Sequence, residues 1–174
     1  MMIRVSLLQG FLTFVLGAAT VAANAQSVAA DFFAQGVLLG MQLSAKHGER
    51  KGTTSSGQAA CIQALKPTAF HDAVNEAMTS VLAPQDLSAA DQFFATPVGE
   101  KYAKYGLLQI YLAVGERAPE SLPTFSDAEY RELETFAATP AGKRLILDKG
   151  MQSASAKSIY DRKIRELLDQ CREK

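Results

Sequence analysis

A nine-residue pattern occurs twice in this chain of 174 residues, at a constant offset of 43. The copy from Phe93 to Lys101 and the copy from Phe136 to Arg144 share the form Phe-x-x-Thr-Pro-x-Gly-x-Lys/Arg. Such self-similarity is typical of a repeated supersecondary unit. The fold must therefore accommodate the same local structure at two places in the chain.

The Thr-Pro-x-Gly step predicts a sharp corner between two helices. Proline disfavours helical geometry in the preceding residue, so each Thr is expected to be an extended N-cap and each Pro to take the first helical position. The Gly at the third position leaves room for neighbouring groups to pack against the corner, and the Phe fills its inside. The residues assigned to the two corners are Phe93, Thr96, Pro97, Gly99 and Lys101, and Phe136, Thr139, Pro140, Gly142 and Arg144.

Start signals precede both corners. Pro84 and Asp86 begin the helix before the first, and Ser126 with Glu129 forms a capping box before the second. The repeat units therefore span about residues 84–113 and 126–155. A competing interpretation makes each corner an anion site, because a helix N-terminus lies beside a basic residue. Since Pro removes one amide donor and Thr occupies another, the structural corner is favoured.

The remaining segments also have helical spacing, and no strand is predicted. Residues 28–45 predict a helix with Phe32, Leu39 and Leu43 on its apolar side, and 46–58 predicts an exposed loop. A short helix around Cys61 ends at Pro67. The next helix buries a stripe with His71 on its flank as a hydrogen-bonded surface residue. That stripe consists of Phe70, Val74, Met78, Val81 and Leu82.

Two further helices complete the expected all-α fold, a compact bundle of about six or seven helices. Residues 107–114 are apolar nearly all round, which predicts a central helix. A long helix is expected from Pro140 onwards, with a break near Gly150 left open. Its face formed by Tyr160, Ile164, Leu167, Leu168 and Cys171 is expected to point inward.

The first 25 residues predict a cleaved signal peptide. Arg4 precedes an apolar stretch, and the sequence Ala23-Asn24-Ala25 has the small residues that signal peptidase accepts. A membrane anchor is the alternative, which Gly10 and Gly17 disfavour. The remaining residues, 26–174, are expected to form a single helical domain in the periplasm, without integral membrane insertion.

The predicted export affects the expected oxidation state of the two cysteines. Thiols outside the cytoplasm are usually oxidised, so Cys61 and Cys171 are expected to form a disulfide. In the chain-entropy model a loop of this length is worth above about 4.7 kcal/mol, from which strain usually subtracts. Two buried free thiols are the disfavoured alternative.

The charge distribution excludes a nucleic-acid binder, because the full chain has no net charge and lacks a basic field. Residues 143–174 hold nine basic and five acidic side chains, whereas residues 26–142 carry a net charge of −5. The basic C-terminal segment is therefore the first place to look for an acidic partner. A solvated helix face is the commoner explanation.

The two corners resemble the bacterial domain of unknown function 2059 family, which occurs in small exported proteins. Its pattern is a helix ending in an aromatic residue, then Ser/Thr-Pro-x-Gly and a basic residue or Gln; the match covers about residues 80–150. The aromatic pair common in the family is present as Phe93-Phe94 but becomes Phe136-Ala137 in the second copy. The resemblance implies an all-helical periplasmic domain and carries no catalytic residues.

Two classes of function remain. The first is a non-catalytic interaction module that binds another envelope protein, a toxin or a cell-wall component; a carrier of an apolar ligand is also open. The second is a wall or lipid hydrolase working through carboxylates, although no nucleophile elbow or metal motif is found and no cofactor is expected. The available carboxylates are Glu76, Asp91, Glu100, Glu116 and Glu134.

Overall fold

The computed structural model describes residues 27–172 and shows the predicted all-α fold, with eight α-helices and no strand in that range. The predicted signal peptide and its cleavage site lie outside the described residues. The helices are α1 (Val28–Arg50), α2 (Ser56–Ala64), α3 (His71–Val81), α4 (Pro84–Phe94), α5 (Pro97–Ala113), α6 (Asp127–Ala137), α7 (Pro140–Gly142) and α8 (Ala154–Arg172). A 3₁₀ turn at Pro67–Phe70 leads into α3, and a π-helix at Lys143–Leu147 continues α7.

The central helix is α1, which packs against α2, α3, α4 and α5. Ser27 caps it by accepting from the Ala30 amide at 3.0 Å, and Asp91 of α4 accepts from the Ser27 hydroxyl at 2.6 Å. Its buried stripe follows helical spacing and consists mainly of small residues: Ala30, Ala34, Leu38, Met41 and Ala45. Among the described helices, α1 is the one long and apolar enough to cross a membrane by length and composition.

The predicted apolar side of α1 is confirmed in part, since Phe32 packs against the core and Leu43 is buried. Phe32 and Leu39 are half-buried, while the alanines form the deepest part of the helix surface. Small side chains are buried there because neighbouring helices approach closely. The size of the apolar side chains in the sequence does not predict which face of the helix is approached in this way. Leu43 of the predicted set is buried.

The prediction that residues 107–114 form a central helix was wrong. They belong to the C-terminal part of α5, in which Leu108 is buried and Leu112 is 50% exposed. The helix contacts α1, α4 and α6 but leaves Leu112 and Ala113 of its last turn exposed. Its excess of apolar residues therefore belongs to the protein surface and not to the core.

The predicted loop at 46–58 is shorter than expected, because α1 continues to Arg50 and α2 begins at Ser56. Arg50 forms an ion pair with Glu116, and the hydrogen bond from Arg50 lowers the pKa of that carboxyl. The amide of Thr53 donates to the Gly48 carbonyl at 2.9 Å, which turns the chain back on α1. Hydrogen bonding therefore orders part of this polar segment.

The long helix expected from Pro140 onwards is broken near Gly150, a break that the sequence analysis had left open. Lys149 adopts a left-handed backbone with φ of 51°, a 3₁₀ turn follows at Gly150–Gln152, and α8 begins at Ala154. This division contributes to the count of eight helices. Helix α8 packs on α2 and α3, and its Tyr160 hydroxyl lies in the core, where burial raises its pKa well above the usual range.

The predicted disulfide is confirmed. Cys61 of α2 is bonded to Cys171 of α8, with Cα atoms 5.6 Å apart and a sequence separation of 110. No free cysteine is present among the described residues. The bond ties the end of α8 to the layer formed by α1 and α2.

Candidate functional site

The first corner joins α4 to α5 through a set of short hydrogen bonds. Thr96 has extended geometry, its hydroxyl accepts from the Gly99 amide at 3.0 Å, and it donates to the Phe93 carbonyl at 2.8 Å. Pro97 occupies the first position of α5. One hydroxyl therefore satisfies a group from the end of one helix and a group from the start of the next.

The second corner has the same local geometry. The Thr139 hydroxyl accepts from the Gly142 amide at 3.0 Å and donates to the Phe136 carbonyl at 2.7 Å. The chain then diverges from the first copy, because a single turn at Pro140–Gly142 passes into a π-helix. The two copies therefore share a corner and not the helix that follows it.

The glycine at each corner lies directly against the preceding helix. A Cβ atom on Gly99 would overlap the Phe93 carbonyl oxygen and lie 2.8 Å from the Phe94 Cα. A Cβ atom on Gly142 would overlap the Phe136 carbonyl oxygen in the same way. Both contacts involve backbone, which cannot rotate out of the way, so each corner requires glycine.

The two corners pack against each other reciprocally. Helix α4 of the first copy contacts α7 of the second, and α5 of the first contacts α6 of the second. At the centre, the rings of Phe93 and Phe136 stack with centroids 3.8 Å apart. Equivalent residues therefore meet near a local twofold relationship, as in a symmetric dimer.

An ion pair links the two copies of the repeat on one side. Lys101 of α5 donates to Glu129 of α6 at 2.7 and 2.8 Å. The same carboxylate accepts from the Ser126 amide at 2.8 Å, which completes the capping box of α6. The Lys101 hydrogen bond, followed by the Ser126 amide, lowers the pKa of Glu129 to about 2. Lys101, the basic residue of the first corner, thus has a structural partner.

The aromatic pair of the first copy has a separate role. Phe94 is 2% exposed and its ring stacks on Phe32 of α1 with centroids 5.3 Å apart. Its counterpart in the second copy is Ala137, which is half-buried and has no ring that could stack. Phe94 therefore anchors the first copy to α1, which the second copy does not do.

One candidate site is an open groove beside α1, away from both corners. It encloses about 580 Å³ between α1, α2, the end of α5 and α8. Pockets of 300–1,000 Å³ lined mainly by apolar groups are typical ligand sites. We call it the α1 groove, and it is lined by Gly36, Val37, Gly40, Met41, Ser44, Ala45, Thr53, Thr54, Gln58, Ile62, Ile110, Val114, Ile164, Leu168 and Arg172.

Sequence reasoning left a carrier of an apolar ligand open but did not assign the residues of this groove, although two sequence features bear on them. Residues 107–114 are apolar on more sides than one buried face requires, and Ile110 and Val114 of this segment form one wall. Gly36 and Gly40 leave the facing surface of α1 without side chains. Gly36 lets the Ile110 side chain of α5 lie close to α1, since a Cβ atom on Gly36 would be 3.4 Å from Ile110 Cδ1.

The carboxylates considered for catalysis are placed mostly in structural contacts. Asp91 caps α1, Glu76 accepts from Arg162 at 2.5 Å, and Glu116 is paired with Arg50. Glu134 is exposed. None of these four lines the α1 groove.

Glu100 has a different setting. It lines a second cavity, of about 340 Å³, together with Asp31, and Asp31 lies 2.9 Å from His71 Nε2. His71 is thus a half-buried hydrogen-bonding residue at the start of α3. Within residues 27–172, no group of three or more His, Cys, Asp or Glu side chains is placed to hold a metal ion.

The basic C-terminal segment is partly neutralised. Arg162 pairs with Glu76 of α3, Lys163 with Glu166, and Arg172 with Asp169 at 3.1 Å. These pairs are exposed, and exposed pairs of this kind contribute little to stability. The segment therefore keeps a basic character in which the charge is spread along α8.

The chain is thus an all-α, disulfide-linked domain with an open groove lined mainly by apolar residues. No protein-family model, no curated protein and no solved structure matches the chain. Its function must therefore be argued from its own residues.

Proposed function

We propose that this chain is a non-catalytic binding protein of the bacterial envelope, and that the α1 groove is its binding site. The observation that carries the proposal is the groove itself, an open and mainly apolar pocket of about 580 Å³ on a scaffold closed by the Cys61–Cys171 bond. Concave pockets of this size lined mainly by apolar groups are the usual binding sites for small molecules.

Export to the periplasm is part of the proposal. The apolar N-terminal sequence is compatible with a signal peptide, and a disulfide fits an exported protein. Membership of the bacterial domain of unknown function 2059 family is supported by the two Thr-Pro-x-Gly corners, whose geometry gives a physical reason for each residue in that pattern.

Site-specific photo-crosslinking tests the proposal. A photoreactive residue placed at Val37 in the groove should give an adduct in periplasmic extracts, while the same residue at Glu132 on α6 serves as the control. A third position, Arg165 on α8, tests the basic helix. An adduct at Arg165 alone would move the binding site to α8.

The hydrolase alternative has one observation in its favour, the cavity shared by Glu100 and Asp31. Purified protein should leave peptidoglycan and long-chain esters intact. Turnover that disappears in Glu100→Gln or Asp31→Asn would replace the binding role with a catalytic one.

A further inference from the structure

The α1 groove has an uneven lining. In α1, the residues Gly36, Val37 and Gly40 come before the polar Ser44, and in α8, Ile164 and Leu168 come before Arg172. The polar residues Thr53, Thr54 and Gln58 come from the connection to α2 and its first turn. Both long helices thus contribute apolar side chains first and a polar one in a later turn.

The charge of the lining is one-sided. Among the described residues that line the groove, Arg172 is the one cation, and no Asp or Glu is present. Arg172 Nη1 donates to Asp169 at 3.1 Å. Because a guanidinium has five N–H donors, this bond leaves others for a second acceptor. An anionic group is the complement of this lining.

The size of the groove limits its occupant. Two turns of an α-helix with side chains fill about 1,000 Å³, from a diameter of about 11 Å and a pitch of 5.4 Å. The groove holds about 580 Å³ and is open on one side, so a helix of that size would lie partly outside it. An alkyl chain is narrower than a helix and matches the apolar strip along α1 and α8.

We propose that the α1 groove binds a single-chain amphiphile with an anionic head. The chain lies along Gly36, Gly40 and Leu168, and the head meets Arg172. The proposal rests on the binding function proposed above and names its ligand class. Fatty acids and single-chain phospholipids with an acidic head share this chemistry.

Calorimetric titration of the purified exported chain measures the apolar part. Saturated fatty acids of 8 to 14 carbons, each below its micelle concentration, are compared. Affinity should rise about two- to fourfold per methylene until the groove is filled, because each buried methylene adds a nearly constant increment. No binding by any of these acids would overturn the proposal.

A glycine series tests the location. A Cβ atom on Gly40 would lie 3.9 Å from Ile110 Cγ2, which is ordinary contact, so Gly40→Ala should bind almost normally. Gly40→Leu extends into the groove and should reduce affinity at least tenfold. Gly57→Ala, which meets nothing within 4 Å, is the matched control outside the groove. Equal affinity in wild type and Gly40→Leu, with both folded by circular dichroism, would place binding elsewhere.

A head-group series tests the role of Arg172. Arg172→Gln should weaken dodecanoate about tenfold, as expected for a charge-assisted hydrogen bond, and should leave dodecanol unchanged. Arg165→Gln, on the same helix outside the groove, is the charge-matched control. An equal loss for the acid and the alcohol would contradict the assigned head position. Dodecanoyl lysophosphatidylglycerol is measured beside dodecanoate. The tighter binder of the two shows whether the ligand is a single-chain phospholipid or a fatty acid.

Two other occupants give different results. A dimer by light scattering that Gly40→Leu dissociates would assign the groove to a second copy of the chain. An amphipathic helical peptide that binds where the acids do not would assign it to a protein partner. Either result refutes the amphiphile and leaves the proposed binding function standing, whereas hydrolytic turnover refutes that function.

Discussion

Phe93 and Phe136 lie at equivalent positions of the two repeats, and their rings stack face to face with planes 5° from parallel. The side chains are 8% and 6% exposed, so the contact is buried. Each ring is placed by a corner whose Thr holds the carbonyl of that same Phe. The sequence repeat thus produces a direct contact between its two copies.

This contact should be measurable as an energetic coupling. Phe93→Leu and Phe136→Leu should each lower the free energy of unfolding by about 1 to 2 kcal/mol. The double variant should lose less than the sum, by about 0.5–1.5 kcal/mol, because the stacking is removed only once. Urea denaturation of the wild type, the two single variants and the double variant measures this double-mutant cycle. Pairing Phe93→Leu with Phe70→Leu, in the buried turn before α3, should give additive losses.

The corner glycines should be intolerant of any side chain. Gly99→Ala and Gly142→Ala should each destabilise the fold by about 2 to 4 kcal/mol, because the new methyl group meets backbone atoms of the preceding helix. Gly57→Ala in α2 should be neutral or stabilising by up to about 1 kcal/mol. Chemical denaturation tests this, and a corner variant as stable as the α2 control would refute the close approach.

The disulfide should contribute a large share of the stability. Cys61→Ala with Cys171→Ala should lower the free energy of unfolding by about 2–5 kcal/mol. Adding reductant to the wild type should produce a similar loss, while the double variant should not respond to reductant. A wild type insensitive to full reduction would show that packing of α8 on α3 suffices.

Glu129 should make stability depend on pH in the acidic range. Its pKa is lowered from 4.5 to about 2 in the folded chain, chiefly by Lys101. The contribution of the ionised Glu129 to the free energy of unfolding is therefore fully present above about pH 4.5 and is lost as the pH falls towards 2. Carbon NMR of the carboxyl should show a midpoint near 2, and Lys101→Met should raise it.

Glu129→Gln is the control for that dependence. Gln is acceptable at the third position of a capping box, so α6 should still form. The unfolding free energy of this variant should change less with pH between 4.5 and 2 than that of the wild type. Identical pH profiles for the two proteins would mean that other carboxylates dominate.

Local chemistry made the all-α class and the disulfide predictable from sequence. Thr-Pro limits the backbone to a few conformations, and two cysteines in a chain with a predicted signal peptide allow a single intramolecular pairing. These inferences need only neighbouring residues or a count. The same local reasoning assigned too short a length to α1, because the ion pair of Arg50 with Glu116 joins residues 66 positions apart.

The α1 groove could not be predicted in the same way. An apolar segment such as 107–114 has the same sequence pattern whether it is covered by other helices or lines an open surface. The outcome depends on how close α8 comes to α5, which the disulfide at Cys171 and the packing on α3 determine. The sequence therefore indicates the apolar excess at 107–114 and the small residues Gly36 and Gly40, but not the spacing between α5 and α8.

The Cys61–Cys171 bond also has a consequence for the timing of biosynthesis. At about 5–20 residues per second, the sequence separation of 110 between the two cysteines corresponds to about 5 to 20 seconds of synthesis. If export accompanies synthesis, the Cys61 thiol spends that interval without its partner. With two cysteines in the whole chain, its competitors are other molecules, so an oxidant acting late is sufficient and no reshuffling of internal bonds is needed.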